Sequence, residues 1–382
     1  MLLSYSLVIF LPNANSFGII WAGLTLSALS IMFILRPDRT NINTSFFITG
    51  LILFLVTIIS ILINDGLTIK KIQFVKYAFP LFVTSLSINY FRTPDWISSL
   101  SKTLKYLSLL LLFFLIFLFK DYNFSISTYL TDPNNLFAER AHIISQLYAS
   151  VIILYLGTLV VLSSLKGYHF LFLLPLFFMG ARSVLLGVLM FSLVFFILSI
   201  AIKKIRTFFL VVLTALILLV FLNFDQVIKY IYSSDYVLPR AFIDRGTLVY
   251  HRAGDNITDF TSGRNEILEY YINHWELKQI FVGNGMQYLN PDSSFVFRLH
   301  NDFFEFFFSF GLLGLFAMLV GIYYKLFYRT INMQEDKRSR NFLIALLIYF
   351  ITISFTNSIL DYQSTLFVYL TIGIFQIRPA NE

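Results

Sequence analysis

The chain has 382 residues, of which 58% are hydrophobic and 13% charged, with 45 Phe, 22 Tyr and a formal net charge of +7, and its mean hydropathy is +0.77. A soluble globular domain carries about 25% charged residues and has no interior for so much apolar surface, so the composition excludes a water-soluble fold and points to lipid as the solvent. The basic excess is scattered through short connections and forms no stripe or tail, which speaks against nucleic acid as a partner. Without Cys there is neither a disulfide framework nor a thiolate metal site.

A hydrocarbon core about 30 Å thick takes about 20 apolar helical residues to cross. Runs of that order lie at 16–35, 45–63, 73–91, 103–119, 142–164, 182–201, 206–223, 300–325, 341–358 and 360–377. Two shorter runs, 2–12 and 168–180, fall below span length and are tilted, re-entrant or helped by flanking residues. The expectation is an all-α polytopic integral membrane protein with ten to twelve transmembrane helices, twelve being favoured. About nine lie in 1–223 and about three in 300–382, separated by one large loop over 224–299. Met1 leads directly into LLSYSLVIF with no basic start or small-residue cleavage site, so no removable signal peptide is expected.

Positive-inside bias orients these spans. Arg36, Arg39, Arg92, Lys102, Lys105, Lys166, Lys203, Lys204, Arg206, Lys325, Arg329, Lys337, Arg338, Arg340 and Arg378 all fall on one side, read as cytoplasmic together with both termini. The opposite short connections hold fewer: Lys70, Lys71, Lys76, Lys120, Arg140 and Arg182. The loop 224–299 lies on that outer side and carries seven Lys/Arg and nine Asp/Glu. Its stretch SGRNEILEYYINHWELKQI sets Ile267, Tyr271 and Trp275 at helical spacing behind Thr261 and Ser262 as caps, and GNG at 283–285 reads as a turn.

Five scattered His and no Cys give no metal-ligand spacing. No Walker loop is present either, since GNG lacks a following Lys-Ser/Thr, and ATP-driven transport has no support. The candidates are cations and one histidine on the outer side. Arg182, in FMGARSVLLG, faces a polar cavity or snorkels from a helix end. Arg264 opens the loop helix, where free N–H groups and a bidentate donor can converge on a diphosphate, or else it pairs with Glu266 or Glu269 at the surface. His300 and Asn301 stand where the chain re-enters the membrane, in HNDFFEFFFSFGLLGLF, with Asp302 and Glu305 as an expected capping pair. A histidine beside a positive helix end is biased toward the neutral form that suits a general base; the alternative is a polar interfacial anchor. Lys76, in KYAFPLF before Pro80, snorkels by default, and Gly311 and Gly314 read as close-packing positions.

The segments SGRNEILEYYINHW, VGNG and RLHNDFFEFFFSFGLLG, with Arg182 in GARS, resemble the Wzy-type O-antigen polymerases and their relatives the O-antigen ligases. These motifs cover residues 180–185 and 262–314, and the architecture matches along the whole chain. The resemblance implies a membrane glycosyltransferase of C type, using lipid-linked sugar donors at the periplasmic face of the bacterial inner membrane, with no cofactor and no metal. It implies that Arg182 and Arg264 hold the diphosphate of an undecaprenyl-diphosphate-linked glycan. It further implies that His300 activates or orients the acceptor hydroxyl, supported by Asn301, with Lys76 adding positive charge. Tyr271 and Trp275 stack on sugar rings or pack the loop helix. The partners implied are the lipid-linked donor and acceptor glycans, membrane lipids, a chain-length regulator (co-polymerase) and a flippase. An O-antigen ligase, a capsule polymerase and a transporter or flippase remain the alternatives.

Overall fold

The computed structural model describes residues 42–64, 75–91, 93–121, 141–178, 182–202, 279–284, 301–356 and 364–377, with a few further single positions between them. Among these residues there is helix and no strand. The elements are α1 (Thr44–Asn64), α2 (Val75–Ser87) with a 3-10 turn Ile88–Phe91, α3 (Pro94–Asp121), α4 (Ala141–Val161), a 3-10 segment Gly167–Phe178 and α5 (Arg182–Ser199). They continue with α6 (Gln279–Val282), α7 (Asp302–Met318), a π-helical stretch Leu319–Tyr328, α8 (Arg329–Asn332), α9 (Lys337–Thr356) and α10 (Thr365–Gln376). The expected runs at 2–12 and 16–35 lie outside the described residues, as does 206–223 except for 207–209 and 211–212.

Among the described residues, three helices are long and apolar enough to cross a membrane: Thr44–Asn64, Asp302–Asn332 and Lys337–Thr356. Shorter apolar helices lie at Tyr77–Ser87, Ser145–Val161, Gly167–Leu176, Ser183–Ser199 and Thr365–Gln376, and α3 spans 28 residues. The fold is thus that of an all-helical membrane protein, with three clear spans among the described residues where the apolar runs foretold more. The short run at 168–180 is a 3-10 segment containing Pro175, which has no N–H to give a helix.

Helix α1 shows why lipid is the solvent. Its inner face, Phe46, Thr49, Gly50, Leu53, Thr57, Ser60 and Ile61, is buried and partly polar. Its outer face is aliphatic, with Leu55 47% and Ile63 62% exposed. A soluble helix turns its polar residues outward. Here the hydroxyls are inside, where Thr57 Oγ1 donates to Leu53 O at 2.6 Å, and small and polar residues mediate helix contact as they do in membranes.

Side-chain bonds at the helix ends show how the bundle is threaded. Asn341 Nδ2 donates to Leu198 O at 2.8 Å, so the start of α9 meets the end of α5, while Gly187 lies against Tyr349 and Ile353 further along. The two helices therefore run antiparallel, and α5 begins beside the end of α9. Asn43 N donates to Ser85 O at 2.9 Å and Asn43 Nδ2 to Gln376 Oε1 at 3.2 Å, which joins the start of α1 to the ends of α2 and α10. Arg338 reaches Leu165 O at 2.5 Å, adding the start of α9 and the end of α4 to the same end of the bundle. This end carries Lys166, Lys325, Arg329, Lys337, Arg338 and Arg340. The opposite end collects the close of α1 and α9 and the starts of α2, α5 and α7.

Candidate active site at the broken helix

Helix α7 begins on Asn301, whose extended backbone (φ −150°, ψ 115°) makes it the N-cap. Its Oδ1 accepts from Phe303 N at 3.0 Å and Phe304 N at 3.1 Å, satisfying two N–H groups that a helix start leaves open. Its Nδ2 donates to Phe355 O at 3.1 Å, tying the start of α7 to the end of α9. Phe303 stacks on Phe355 with ring centroids 4.5 Å apart, reinforcing that junction. The helix starts where the sequence placed it, but the cap is Asn301 and not the expected Asp302/Glu305 pair. Those two carboxyl groups turn inward, 1% and 6% exposed. Asp302 lies 3.4 Å from Leu360 N, and Glu305 accepts from the Tyr77 hydroxyl at 2.8 Å.

Tyr77 belongs to the first turn of α2 and also packs edge-on against Phe306, with centroids 5.1 Å apart. The bond to Glu305 thereby fixes the start of α2, where Lys76 sits, beside the first turn of α7. Tyr77→Phe keeps the ring and removes one hydroxyl donor from a buried carboxyl, at a cost of about 1–3 kcal/mol. The expected outcome is a lower thermal midpoint of the purified protein, measured against a wild-type control.

Nine residues into α7 the helix breaks. Gly311 has φ 65° and ψ −161°, outside the helical region, and Gly283 in the facing turn has φ 68°. The two glycines let backbones touch: a Cβ on Gly283 would overlap Ser309 and Phe310, and one on Gly311 would overlap Phe281 and Val282. The groups freed by the break find partners. Asn284 N donates to Phe308 O at 2.9 Å. The Ser60 hydroxyl is shared between the carbonyls of Val282 and Ser309, and Asn64 Nδ2 donates to Gly283 O at 2.9 Å. At membrane depth an irregular backbone persists only when neighbours satisfy it in this way. The GNG segment is a turn as expected at Gly283 and Asn284, but Gly311 serves a helix break rather than ordinary helix packing. The Asn284 side chain is 2% exposed, and among the described residues neither its Oδ1 nor its Nδ2 has a hydrogen-bond partner.

Of the residues singled out from sequence, Arg182 is the first residue of α5 and Lys76 the second of α2, both at the end of the bundle where Asn301 caps α7. The side chains of Arg182 and Lys76, and the whole of Arg264, Tyr271, Trp275 and His300, lie outside the described residues; His300 precedes Asn301 directly in the chain. His169, one of the five scattered His, is a buried histidine whose Nδ1 accepts from Lys166 N at 3.0 Å. Sequence reasoning missed Ser60, Asn64 and Tyr77, which hold the broken helix. The available signal was a polar residue every third or fourth position, Thr57, Ser60 and Asn64, on one face of an otherwise apolar run.

Residues 167–319 match the protein-family model described as O-Antigen ligase. No curated protein matches the chain. The matched stretch opens before Arg182, includes His300 and Asn301, and closes just beyond the broken helix. Over that stretch the chain is a match to the O-antigen ligase family, consistent with the Wzy-type polymerase and ligase resemblance that its motifs carry.

Proposed function

We propose that this protein is an O-antigen polymerase of the bacterial inner membrane, joining undecaprenyl-diphosphate-linked repeat units at the periplasmic face. The observation that supports it is the common end of the bundle at which α2, α5 and α7 begin, bearing Lys76, Arg182 and Asn301 within or beside the family match.

In the reaction, an acceptor sugar hydroxyl attacks the anomeric carbon of the donor. The new glycosidic C–O bond forms as the bond to the diphosphate breaks, and undecaprenyl diphosphate leaves with the electron pair. Arg182 and Arg264 hold the diphosphate and offset the charge that grows on it, with Lys76 adding to the field. His300 takes the hydroxyl proton or orients the hydroxyl, since that proton becomes acidic only as the bond forms. Asn301 holds the start of α7, and so the position of His300, through its cap and its bond to Phe355. Tyr271 and Trp275 contribute flat faces for sugar rings. The loop 224–299 forms one wall and the helices of 1–223 and 300–382 the others. A chain-length regulator and a flippase are the proposed functional partners.

A ligase reading has one specific observation behind it, the description of the matched family. Gene deletion separates the readings. Loss of a polymerase leaves lipopolysaccharide carrying a single repeat unit, because transfer to the core survives while elongation stops. Long polymer accumulating on undecaprenyl diphosphate would instead mark a ligase, and units trapped at the inner leaflet a flippase.

A further inference from the structure

The end of the bundle opposite Asn301 holds a cavity of about 450 Å3, large enough for a head group rather than a single ion. Its cationic wall is Lys325 and Arg329, one helical turn apart. Each lies in the electrostatic field of the other, which has the same sign, and among the described residues no carboxylate pairs with either. Of the two nearest acids in sequence, Glu335 is exposed and Asp336 is occupied in starting α9, where it accepts from Ser339 N at 3.0 Å and Ser339 Oγ at 2.7 Å.

The floor is polar and held in place. Asn43 and Gln376 are bonded to each other, and Gln376 Nε2 donates to Thr330 Oγ1 at 2.8 Å. The start of α1 opens into the same space through Thr44 and Ser45, adding the positive end of a helix to the two cations. Ile42, Met333 and Ile377 line it with apolar surface. Two cations with no carboxylate partner among the described residues, over a fixed polar floor and next to apolar side chains, suit an amphiphile with an anionic head. Basic pockets between membrane helices on the cytoplasmic side are places where anionic lipid head groups dock.

We propose that this cavity binds a phosphate group, carried by an anionic phospholipid of the leaflet on this side. The assignment of that leaflet to the cytoplasm rests on the topology of the proposed function; the phosphate chemistry does not.

The test uses the full-length protein purified in detergent, with dioctanoyl phosphatidylglycerol, dioctanoyl phosphatidylcholine and inorganic phosphate as probes. Phosphatidylglycerol is expected to bind more tightly than phosphatidylcholine. The Lys325→Gln/Arg329→Gln variant is expected to weaken its binding roughly 30-fold, the weight of two basic side chains at an anionic head group. Lys102→Gln/Lys105→Gln, on α3, is expected to leave it unchanged. If the double variant does not fold, Arg329→Gln alone, at an exposed position, is expected to give a smaller loss in the same direction. Saturable phosphate binding without phosphatidylglycerol binding would support the phosphate chemistry and overturn the lipid as its source. Equal affinity for the two lipids, or undiminished binding in the variants together with no phosphate binding, would overturn the site. The chain has no Cys, so Met333→Cys reports topology separately. Labelling by an impermeant maleimide only after the cells are opened is expected, whereas labelling of intact cells would overturn the topology and leave the pocket standing.

Discussion

His300→Ala, Arg264→Ala and Arg182→Ala are each expected to abolish long polysaccharide chains while the protein stays in the membrane at its normal level. The diphosphate that leaves carries more negative charge in the transition state than in the bound donor. A cation fixed beside it therefore acts on the rate more than on binding, and removing one such group costs on the order of 10²–10³-fold. Loss of a placed base costs on the order of 10²–10⁴-fold. An elongation step slowed that far loses to release and transfer of single units, so the ladder on a gel collapses to its lowest rung. Arg182→Lys and Arg264→Lys keep the charge but not the bidentate fork, and are expected to restore only short chains. Lys105→Ala, toward the other end of the bundle, serves as the control and is expected to leave the ladder unchanged. Normal chain lengths in all three Ala variants would remove these residues from the site.

Gly311→Val and Gly283→Val are expected to be at least as damaging, through the fold. Both positions hold φ near +65°, where a β-branched residue is strained, and a Cβ at either overlaps the backbone of the opposing segment rather than a side chain that could swing away. Strain and overlap together cost about 3 kcal/mol or more, a large part of a typical stability of about 5–15 kcal/mol. The segment Gln279–Asn284 would separate from α7, and Ser60 and Asn64 would lose the carbonyls they bond. The expected readout is loss of monodisperse protein on extraction, along with loss of long chains. Gly167→Ala provides the contrast, since a Cβ there meets nothing within 4 Å, and is expected to be neutral.

Much of the fold was legible because lipid imposes a simple rule on the chain. The runs at 45–63, 142–164, 182–201 and 341–358 appear as α1, α4, α5 and α9 with ends shifted by a few residues, since each is apolar over most of its helical length, α9 reaching four residues further back into the charged KRSR. The start of α7 at residue 302 was equally plain from the polar HND ahead of a Phe-rich run. The cap itself was not, because Asn and Asp cap almost equally well and stand side by side at 301 and 302; burial of Asp302 against Leu360 decides between them. Glu305 could not be read as the partner of Tyr77 because the two are separated by 228 positions. Gly311 within an apolar run reads as a packing glycine, and only the approach of Gly283 from a distant segment turns it into a break. At the site, residue type and order suggested Arg182, Lys76 and Asn301. What brings the starts of α5, α2 and α7, on which these residues stand, to one end of the bundle is the antiparallel threading of α5 and α9 and the bonds at Phe355 and Glu305, which no local pattern encodes.

The central claim is tested most directly by reconstitution. The purified protein, given a synthetic undecaprenyl-diphosphate-linked repeat unit and no other protein, is expected to yield products of two or more units and one undecaprenyl diphosphate per bond formed. An unchanged repeat unit, or transfer that occurs only when lipid A core is supplied, would contradict the polymerase account.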